Sequence, residues 1–409
     1  MTDVRTALVI GGGIAGPVAA IALRKAGIAA TVHEGHPGDA GGIGGALMLA
    51  PNGMAALHTI GIDGPVAAVG LATPRMVMET GSGKRLGTFQ DLPGLPASRL
   101  FARGELHQVL LGEAVARGVH VEFGKRLVAV DNLPDRVVAH FADGTSATAD
   151  VLVGADGIRS TVRELLDAAA PKPRYVGLLG LAGWVPAEGL ASTGGAFHLA
   201  FGRRAFFGYM VADDGRAGWF ANLASAEPLT AAQARATPAR EWLRRLTELY
   251  VDDTIPAVEM LSRTREEDLV NVGALEDMPP VPVWHRGRAV LVGDAAHATS
   301  PSSGQGASLA IESAVELARC LRDEPTVERA FQVYELARRP RVEKIIKQTA
   351  RVNSDKAPGP LGRMVRDLLF PVAMRTFYTP EKMFGWIHRH HIDWEAAGLQ
   401  AGGAPADVR

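Results

Sequence analysis

The stretch that most restricts the fold of this chain lies near its start. An apolar run, Ala7 to Ile10, leads into Gly11-Gly12-Gly13-Ile14-Ala15-Gly16, and a second apolar run, Thr31 to His33, is closed by Glu34, 18 residues after Gly16. Three demands meet in that spacing. Gly11 allows a tight turn, Gly13 lets backbone approach a pyrophosphate, and Gly16 lets a helix pack closely on the strand it follows. An acid at the end of the next strand can accept from a ribose hydroxyl. The pattern predicts a β-α-β unit over residues 5–34, with a helix from about Ile14 to Ala26, stopped by Gly27, and a dinucleotide ligand.

A second stretch, Arg288 to Ala314, repeats the logic. A short apolar strand, Ala289 to Val292, breaks at Gly293 and Asp294, passes through a Pro/Ser/Gly loop, and re-enters a helix near Gly306. Unpaired N–H groups and the positive end of the helix dipole then face whatever lies in front, which suits an anionic or electron-accepting group. A third stretch, Val151 to Ala155, is a continuous apolar strand expected in the middle of a parallel sheet. It ends in Asp156-Gly157, where α/β sheets bind ligands, and Ser160 and Thr161 beyond it suit helix caps.

With 409 residues the chain exceeds one ordinary domain, and 47% hydrophobic residues can bury a substantial core. Forty-three basic against 44 acidic side chains, with no sustained basic run, argue against nucleic acid or an anionic membrane surface as partner. The single cysteine, Cys320, sits in an apolar helical pattern and reads as a core thiol. The first strand begins within about six residues, leaving no room for a signal peptide, and no apolar run reaches the roughly 20 residues of a membrane span, so a cytoplasmic protein is expected.

Other segments supply the rest of the expected site. Five glycines between Gly38 and Gly45 suit a mobile loop, a backbone lying against a flat ligand, or a surface linker. Pro51-Asn52-Gly53 starts a helix, and residues 65–100 read as β-like with a hairpin turn at Gly81-Ser82-Gly83. Arg103 opens an amphipathic helix ended by Gly118. An arginine there opposes the helix dipole unless it reaches an anion. Residues 171–283 change character: strand-like patches carry Trp184, Phe197, Phe201, Phe206, Phe207, Tyr209, Trp219 and Phe220, with one helical cover, about Pro238 to Val251. Some of these aromatics belong to a core, and the rest suit a planar, apolar substrate. The expected division is a discontinuous nucleotide-binding domain (1–72, 100–170, 284–348), a substrate domain (73–99, 171–283) and a C-terminal helical layer (349–409). That layer carries Met364, Leu368, Phe377, Met383, Phe384 and Trp386. His388, His390 and His391 have no carboxylate or thiol at ligand spacing, so no metal is expected.

The three motifs GGGIAG with Glu34, VLVGADGIRSTVR and RAVLVGDAAHATSPSSGQGASLAIESA, in this order, resemble the FAD-dependent aromatic hydroxylases, single-component flavoprotein monooxygenases of the para-hydroxybenzoate hydroxylase type, in their compact form. The resemblance spans roughly the first 350 residues. It implies an α/β fold with a Rossmann-like FAD-binding parallel sheet, an inserted β-sheet for substrate, and C-terminal helices. By position, Gly11, Gly13, Ala15 and Gly16 would hold the FAD pyrophosphate, Glu34 the adenosine ribose, and Arg103 the phosphate and ribityl region. Leu127 would pass its backbone by the adenine. Asp156 would serve FAD and a transient nicotinamide cofactor, and Gly293 and Asp294 the ribityl chain. Pro301, Gly304, Gln305, Gly306 and Ala307 would lie by the isoalloxazine, where a helix N-terminus stabilises the anionic reduced ring.

The resemblance further implies reduction of FAD by NADPH or NADH, addition of oxygen at flavin C4a, and transfer from that hydroperoxide to an aromatic or polyketide-like molecule. No catalytic triad is then needed, and His297 reads as packing rather than as a base. Ser308 and Ser313 depart from the Asn and Asp common in the family, and the glycine-rich loop lacks the arginine of several relatives. Alternative classes are a flavin dehydrogenase, a halogenase, whose Trp-x-Trp-x-Ile-Pro stretch is absent, and a protein that binds FAD and ligand without turnover.

Overall fold

The computed structural model describes residues 2–38, 45–300, 304–354 and 379–396. Its first half is built on a six-stranded sheet in the order His285–Arg286, Ala289–Leu291, Val151–Gly154, Thr6–Ile10, Ala29–His33, His120–Glu122. All neighbours are parallel except the outermost pair, His285–Arg286 with Ala289–Leu291. Val151–Gly154 is wholly buried and central, as its unbroken apolar sequence requires. Helices Ala15–Lys25, Gly306–Asp323 and Val327–Ser354 cover the sheet, and Leu23, Phe331, Tyr334 and Trp284 fill the core between them. Cys320 lies in that core, and burial pushes its thiol pKa up.

The adjacency of three strands decides where a ligand can sit. Thr6–Ile10 lies between Ala29–His33 and Val151–Gly154, and Ala289–Leu291 lies beyond Val151–Gly154. Three backbone bonds carry the ladders past the strand ends: Gly11 N–H to His33 O at 2.9 Å, Ala155 N–H to Ile10 O at 2.8 Å, and Val292 N–H to Gly154 O at 2.9 Å. The Gly11, Asp156 and Gly293 turns therefore emerge side by side at the carboxyl ends of parallel strands, the usual crevice for ligands in such sheets.

A seven-stranded sheet forms the second half, in the order Val270–Asp277, Arg174–Pro186, Arg216–Ala224, Phe206–Val211, Ala196–Phe201, Arg75–Thr80, Arg85–Gln90. The last two strands form the hairpin expected at Gly81-Ser82-Gly83. One face packs Phe207, Tyr209 and Trp219 against Trp242, Leu246 and Tyr250 of helix Ala239–Tyr250 and Met260 of helix Ala257–Arg263. The other face presents Trp184, Phe197, Met210 and Phe220 towards Ala46, Met48, Leu71 and Leu100 of the first half.

Three local expectations need correction. Pro65 lies in a helix, Asp63–Val69, and not in a β-like run. Pro65 falls in the first turn, where its missing N–H is harmless. The second sheet is covered by helices Ala231–Ala236 and Ala257–Arg263 besides the expected one. The break at Gly293-Asp294 opens a short helix, Asp294–His297, made possible by the positive φ of 60° at Gly293. Of the expected C-terminal layer, Met383, Phe384 and Trp386 lie on helix Pro380–His388, whereas Met364, Leu368 and Phe377 lie outside the described residues. Among the described residues no helix is long and apolar enough to cross a membrane.

Candidate active site

The glycine loop is fixed by contacts that no other residue type would permit. A Cβ at Gly16 would lie 1.9 Å from the Gly11 carbonyl oxygen, and one at Gly11, whose φ is +104°, would lie 2.5 Å from Ala155 O. Gly13, by contrast, faces open space, with nothing within 4 Å of where a Cβ would be. The loop is thus pressed on the sheet at two points and open at the third. Ala15 is buried beneath it, and helix Ala15–Lys25 starts with no side-chain cap and no acid in its first turn. An uncapped helix N-terminus of this kind suits an anion.

Glu34 closes one side of the loop, accepting from Gly12 N–H at 2.6 Å through Oε2 and from His36 N–H at 2.7 Å through Oε1. The Glu34 carbonyl accepts from Lys125 N–H at 2.8 Å, which brings Leu127 and the strand it opens, Leu127–Asn132, alongside. Asp156 is occupied differently. Its carboxylate accepts from Ser160 Oγ at 2.5 Å and Val162 N–H at 3.0 Å, and Ser160 caps helix Thr161–Leu166. Buried Arg163 then reaches Ala295 O at 3.0 Å, tying this turn to the Gly293-Asp294 turn. Burial raises the Asp156 pKa, and these hydrogen bonds oppose the shift.

Arg103 and Asp294 lie close enough to interact electrostatically. Burial pushes the Asp294 carboxyl above its ordinary value and the Arg103 guanidinium works against that shift. Neither side chain has a hydrogen bond or ion pair among the described residues, and both reach solvent. A carboxylate that is desolvated by surrounding protein yet open at its surface lines a cleft. Gly293 sits at the back of that cleft, where a Cβ would lie 3.0 Å from Ala310 and 3.1 Å from Ala15, so the two motif helices converge there. The described residues offer no acceptor to the N–H groups of Gly306, Ala307 and Ser308 at the start of helix Gly306–Asp323, whose first turn carries no acid. Gly304 has φ +61°, and Gln305 is held by Asn52 Nδ2, which donates to its Oε1 at 3.2 Å. Pro301 lies outside the described residues, as does most of the glycine-rich loop, residues 39–44.

One part of the site joins the third motif to residues outside all three motifs. Glu312 is fully buried behind the Gly306 turn and accepts from Asn52 Nδ2 at 2.6 Å and Arg341 Nη2 at 2.9 Å, with Arg338 Nη1 at 2.7 Å. Burial favours its neutral acid, but the two arginines outweigh that and hold its pKa at about 2. Ser313 beside it bonds His297 Nε2 at 2.9 Å and accepts from Arg338 Nε at 3.2 Å. Burial, reinforced by Arg338, lowers the His297 pKa to about 3, so the ring is neutral and packs on Trp284. Ser308 accepts from Ala50 N–H at 3.0 Å, and a Cβ at Gly53 would lie 2.7 Å from Ser308 Oγ. That close crossing explains a small residue at this position. An open groove of about 490 Å³ lined by Ala68, Val69, Glu105, Gln108, Val109 and Arg216 contains none of the residues of this cleft. Among the described residues no three His, Cys, Asp or Glu side chains cluster in a way that could hold a metal.

Two uncapped helix N-termini, a glycine cradle open at Gly13, an acid beside it, and an unpaired arginine and carboxylate in one cleft define a dinucleotide-dependent oxidoreductase of the flavoprotein kind. The donor set fits FAD: cationic and N–H groups suit its phosphates and anionic reduced ring, and carboxylates suit its sugar hydroxyls. Residues 3–349 match the family model of the FAD binding domain, and the chain belongs to this family of FAD-dependent monooxygenases, the aromatic hydroxylases. It is 31% identical over 359 residues to an aurachin C monooxygenase/isomerase of Stigmatella aurantiaca, covering 85% of this chain and 88% of that one. It is 30% identical over 345 residues to an FAD-dependent urate hydroxylase of Klebsiella pneumoniae, covering 83% and 87%. The fold is that of a Klebsiella pneumoniae protein, HpxO, solved with FAD and uric acid, with a TM-score of 0.80, 24% identity, and coverage of 94% and 96%.

Proposed function

We propose that the chain hydroxylates, or otherwise oxygenates, an aromatic or polyketide-like small molecule, with NADPH or NADH as reductant and dioxygen as co-substrate, by the flavin C4a route expected from its motifs. The observation that carries this reading is the cleft between unpaired Arg103 and Asp294, closed at one end by a helix N-terminus and overlooked by the aromatic face of the second sheet.

Bound FAD supplies hydride acceptance and activation of dioxygen. The chain's own groups do the rest. Gly11, Gly13, Ala15 and Gly16 seat the pyrophosphate, Glu34 accepts from the adenosine ribose, and the Leu127 backbone passes the adenine. Arg103 pairs with phosphate, while Asp294 accepts from ribityl hydroxyls with Gly293 leaving room for them. Asp156 holds the turn that joins these parts. The N–H groups of Gly306 and Ala307, with Gly304 and Gln305 before them, stabilise negative charge on the reduced ring. Trp184, Phe197 and Phe220 exclude water from the reacting face. In this reading residues 1–72, 100–170 and 284–348 form the cofactor domain, 73–99 and 171–283 the substrate domain, and 349–409 a C-terminal layer, acting in the cytoplasm.

Anaerobic titration of the flavin-loaded protein with NADPH, then NADH, against a panel of phenols and polycyclic aromatics tests the proposal. A compound that accelerates flavin bleaching is the expected result. Bound flavin bleached at the same rate with and without every compound favours a plain dehydrogenase, and flavin that neither nicotinamide bleaches contradicts the enzyme reading of the cleft.

A further inference from the structure

On the cofactor side of its three central strands the second sheet presents apolar side chains with one exception. Between Gly180 and Trp184, Phe206 and Met210, and Gly218 and Asn222, the residues on this face are Ala182, Trp184, Phe206, Met210, Phe220 and Asn222. Two glycines let the rings lie flat: a Cβ at Gly218 would be 2.9 Å from the Trp184 ring, and one at Gly208 would be 2.1 Å from Phe220. Asn222 pairs across to Gly180 on one side and Phe206 on the other.

Asn222 is only 7% exposed, and its side-chain amide has no hydrogen-bond partner among the described residues. The amide tip is not sealed off in the core but keeps solvent access, so it is free to meet a ligand placed against this face. Its place also points to a ligand. Val272 lies 3.4 Å from where a Cβ of Gly180 would be and 3.7 Å from where one of Gly45 would be. Gly45 O in turn accepts from Arg103 N–H at 3.1 Å. Asn222 is therefore one strand removed from the chain segment that borders the Arg103–Asp294 cleft.

We infer that Asn222 is a specificity-determining residue: it reads one hydrogen-bonding group, a hydroxyl or a carbonyl, on an otherwise apolar planar ring system. An amide both donates and accepts, so either group satisfies it. The same wall argues against a carboxylated substrate. A carboxylate anchor calls for a free arginine, and Arg216, at the end of this strand, is taken by Asp214 at 2.7 Å and Glu105 at 3.6 Å. This inference rests on the aromatic hydroxylase reading proposed above.

The test uses flavin-loaded wild type and Asn222→Leu, titrated with 1-naphthol, naphthalene and 1-naphthoate, with perturbation of the flavin absorbance and the melting temperature as readouts. Wild type is expected to bind 1-naphthol about tenfold more tightly than naphthalene, the value of one good hydrogen bond in an apolar pocket, and 1-naphthoate no better than naphthalene. Asn222→Leu is expected to lose that preference, to keep its flavin and its naphthalene affinity, and to melt within about 1 °C of wild type without ligand, since the amide it replaces has no partner to lose among the described residues. A purely structural asparagine would lower the melting temperature instead. A preference retained in Asn222→Leu, no hydroxyl preference in wild type, or tighter binding of 1-naphthoate overturns the role of Asn222. Flavin-loaded wild type that binds none of the three compounds overturns the aromatic pocket itself, and the Asn222 inference with it.

Discussion

The two halves of the molecule solve binding in opposite ways. In the proposed reading the first half grips its ligand largely through backbone: Gly11, Gly13, Gly16 and Gly293 leave the cradle open, the helix starts at Ala15 and Gly306 offer N–H groups, and only Glu34, Arg103 and Asp294 add side chains. In the second half the backbone is a mostly antiparallel sheet, and in the same reading selectivity lies in side chains on one face, Trp184, Phe206, Phe220 and Asn222. A backbone grip tolerates few sequences and recognises one cofactor. A side-chain wall can be rewritten residue by residue on an unchanged sheet, which is how one fold serves many substrates.

If this contrast is right, changes in the first half remove flavin whatever the substrate, and changes in the second alter ring binding with flavin in place. The largest effect is expected for Gly16→Val. Its Cβ would meet backbone at 1.9 Å, a clash that costs at least about 4 kcal/mol and should leave the purified protein without flavin absorbance. Next is Glu312→Ala, which strands Arg338 and Arg341 in the core and should lower stability by about 3–5 kcal/mol, measured by denaturant unfolding.

Asp294→Ala should weaken FAD binding by about tenfold or more, through loss of charge-assisted hydrogen bonds to the ribityl chain, read by flavin fluorescence on dilution. A variant that keeps full flavin occupancy would contradict the placement of Asp294. The smallest effect is expected for Phe220→Leu, about 0.5–1.5 kcal/mol in ring binding with no change in flavin content.

Acid sharpens the same comparison. The Glu312 pKa is depressed from 4.5 to about 2, so its stabilisation is present above pH 4.5 and lost as pH falls towards 2. The His297 pKa is depressed from 6.5 to about 3; below pH 6.5 the unfolded chain takes up a proton that the buried ring refuses, and stability falls further. Melting temperature should therefore decline in two overlapping steps below pH 6.5, and His297→Gln should remove the upper one.

The cofactor half was legible in the sequence because its determinants are local. A strand, a glycine turn and a helix start within a dozen residues, and Glu34 and Asp294 stand at strand ends that hydrophobicity alone marks. The Glu312 network escaped because its partners are distant: Asn52 lies 260 residues away, and only the folded chain shows that an acid within an apolar helix meets Arg338 and Arg341. The pairing of an acid inside an apolar helical stretch with two arginines spaced three apart on the next helix was the available signal. The helix Asp63–Val69 was masked by Gly64 and Pro65, whose usual role as breakers does not apply in a first turn. For the aromatics, the β-like pattern announced a sheet but not which face each ring takes. Phe207, Tyr209 and Trp219 turned to the covering helices, and Trp184 and Phe220 to the cofactor side.

The most direct test of the account follows the fate of oxygen. With the compound that best accelerates flavin bleaching, turnover under isotopically labelled dioxygen should give a product carrying a single labelled oxygen atom for each nicotinamide oxidised. Nicotinamide consumed with an unlabelled organic molecule and an equivalent of hydrogen peroxide would contradict the claim that this cleft and its aromatic wall perform hydroxylation.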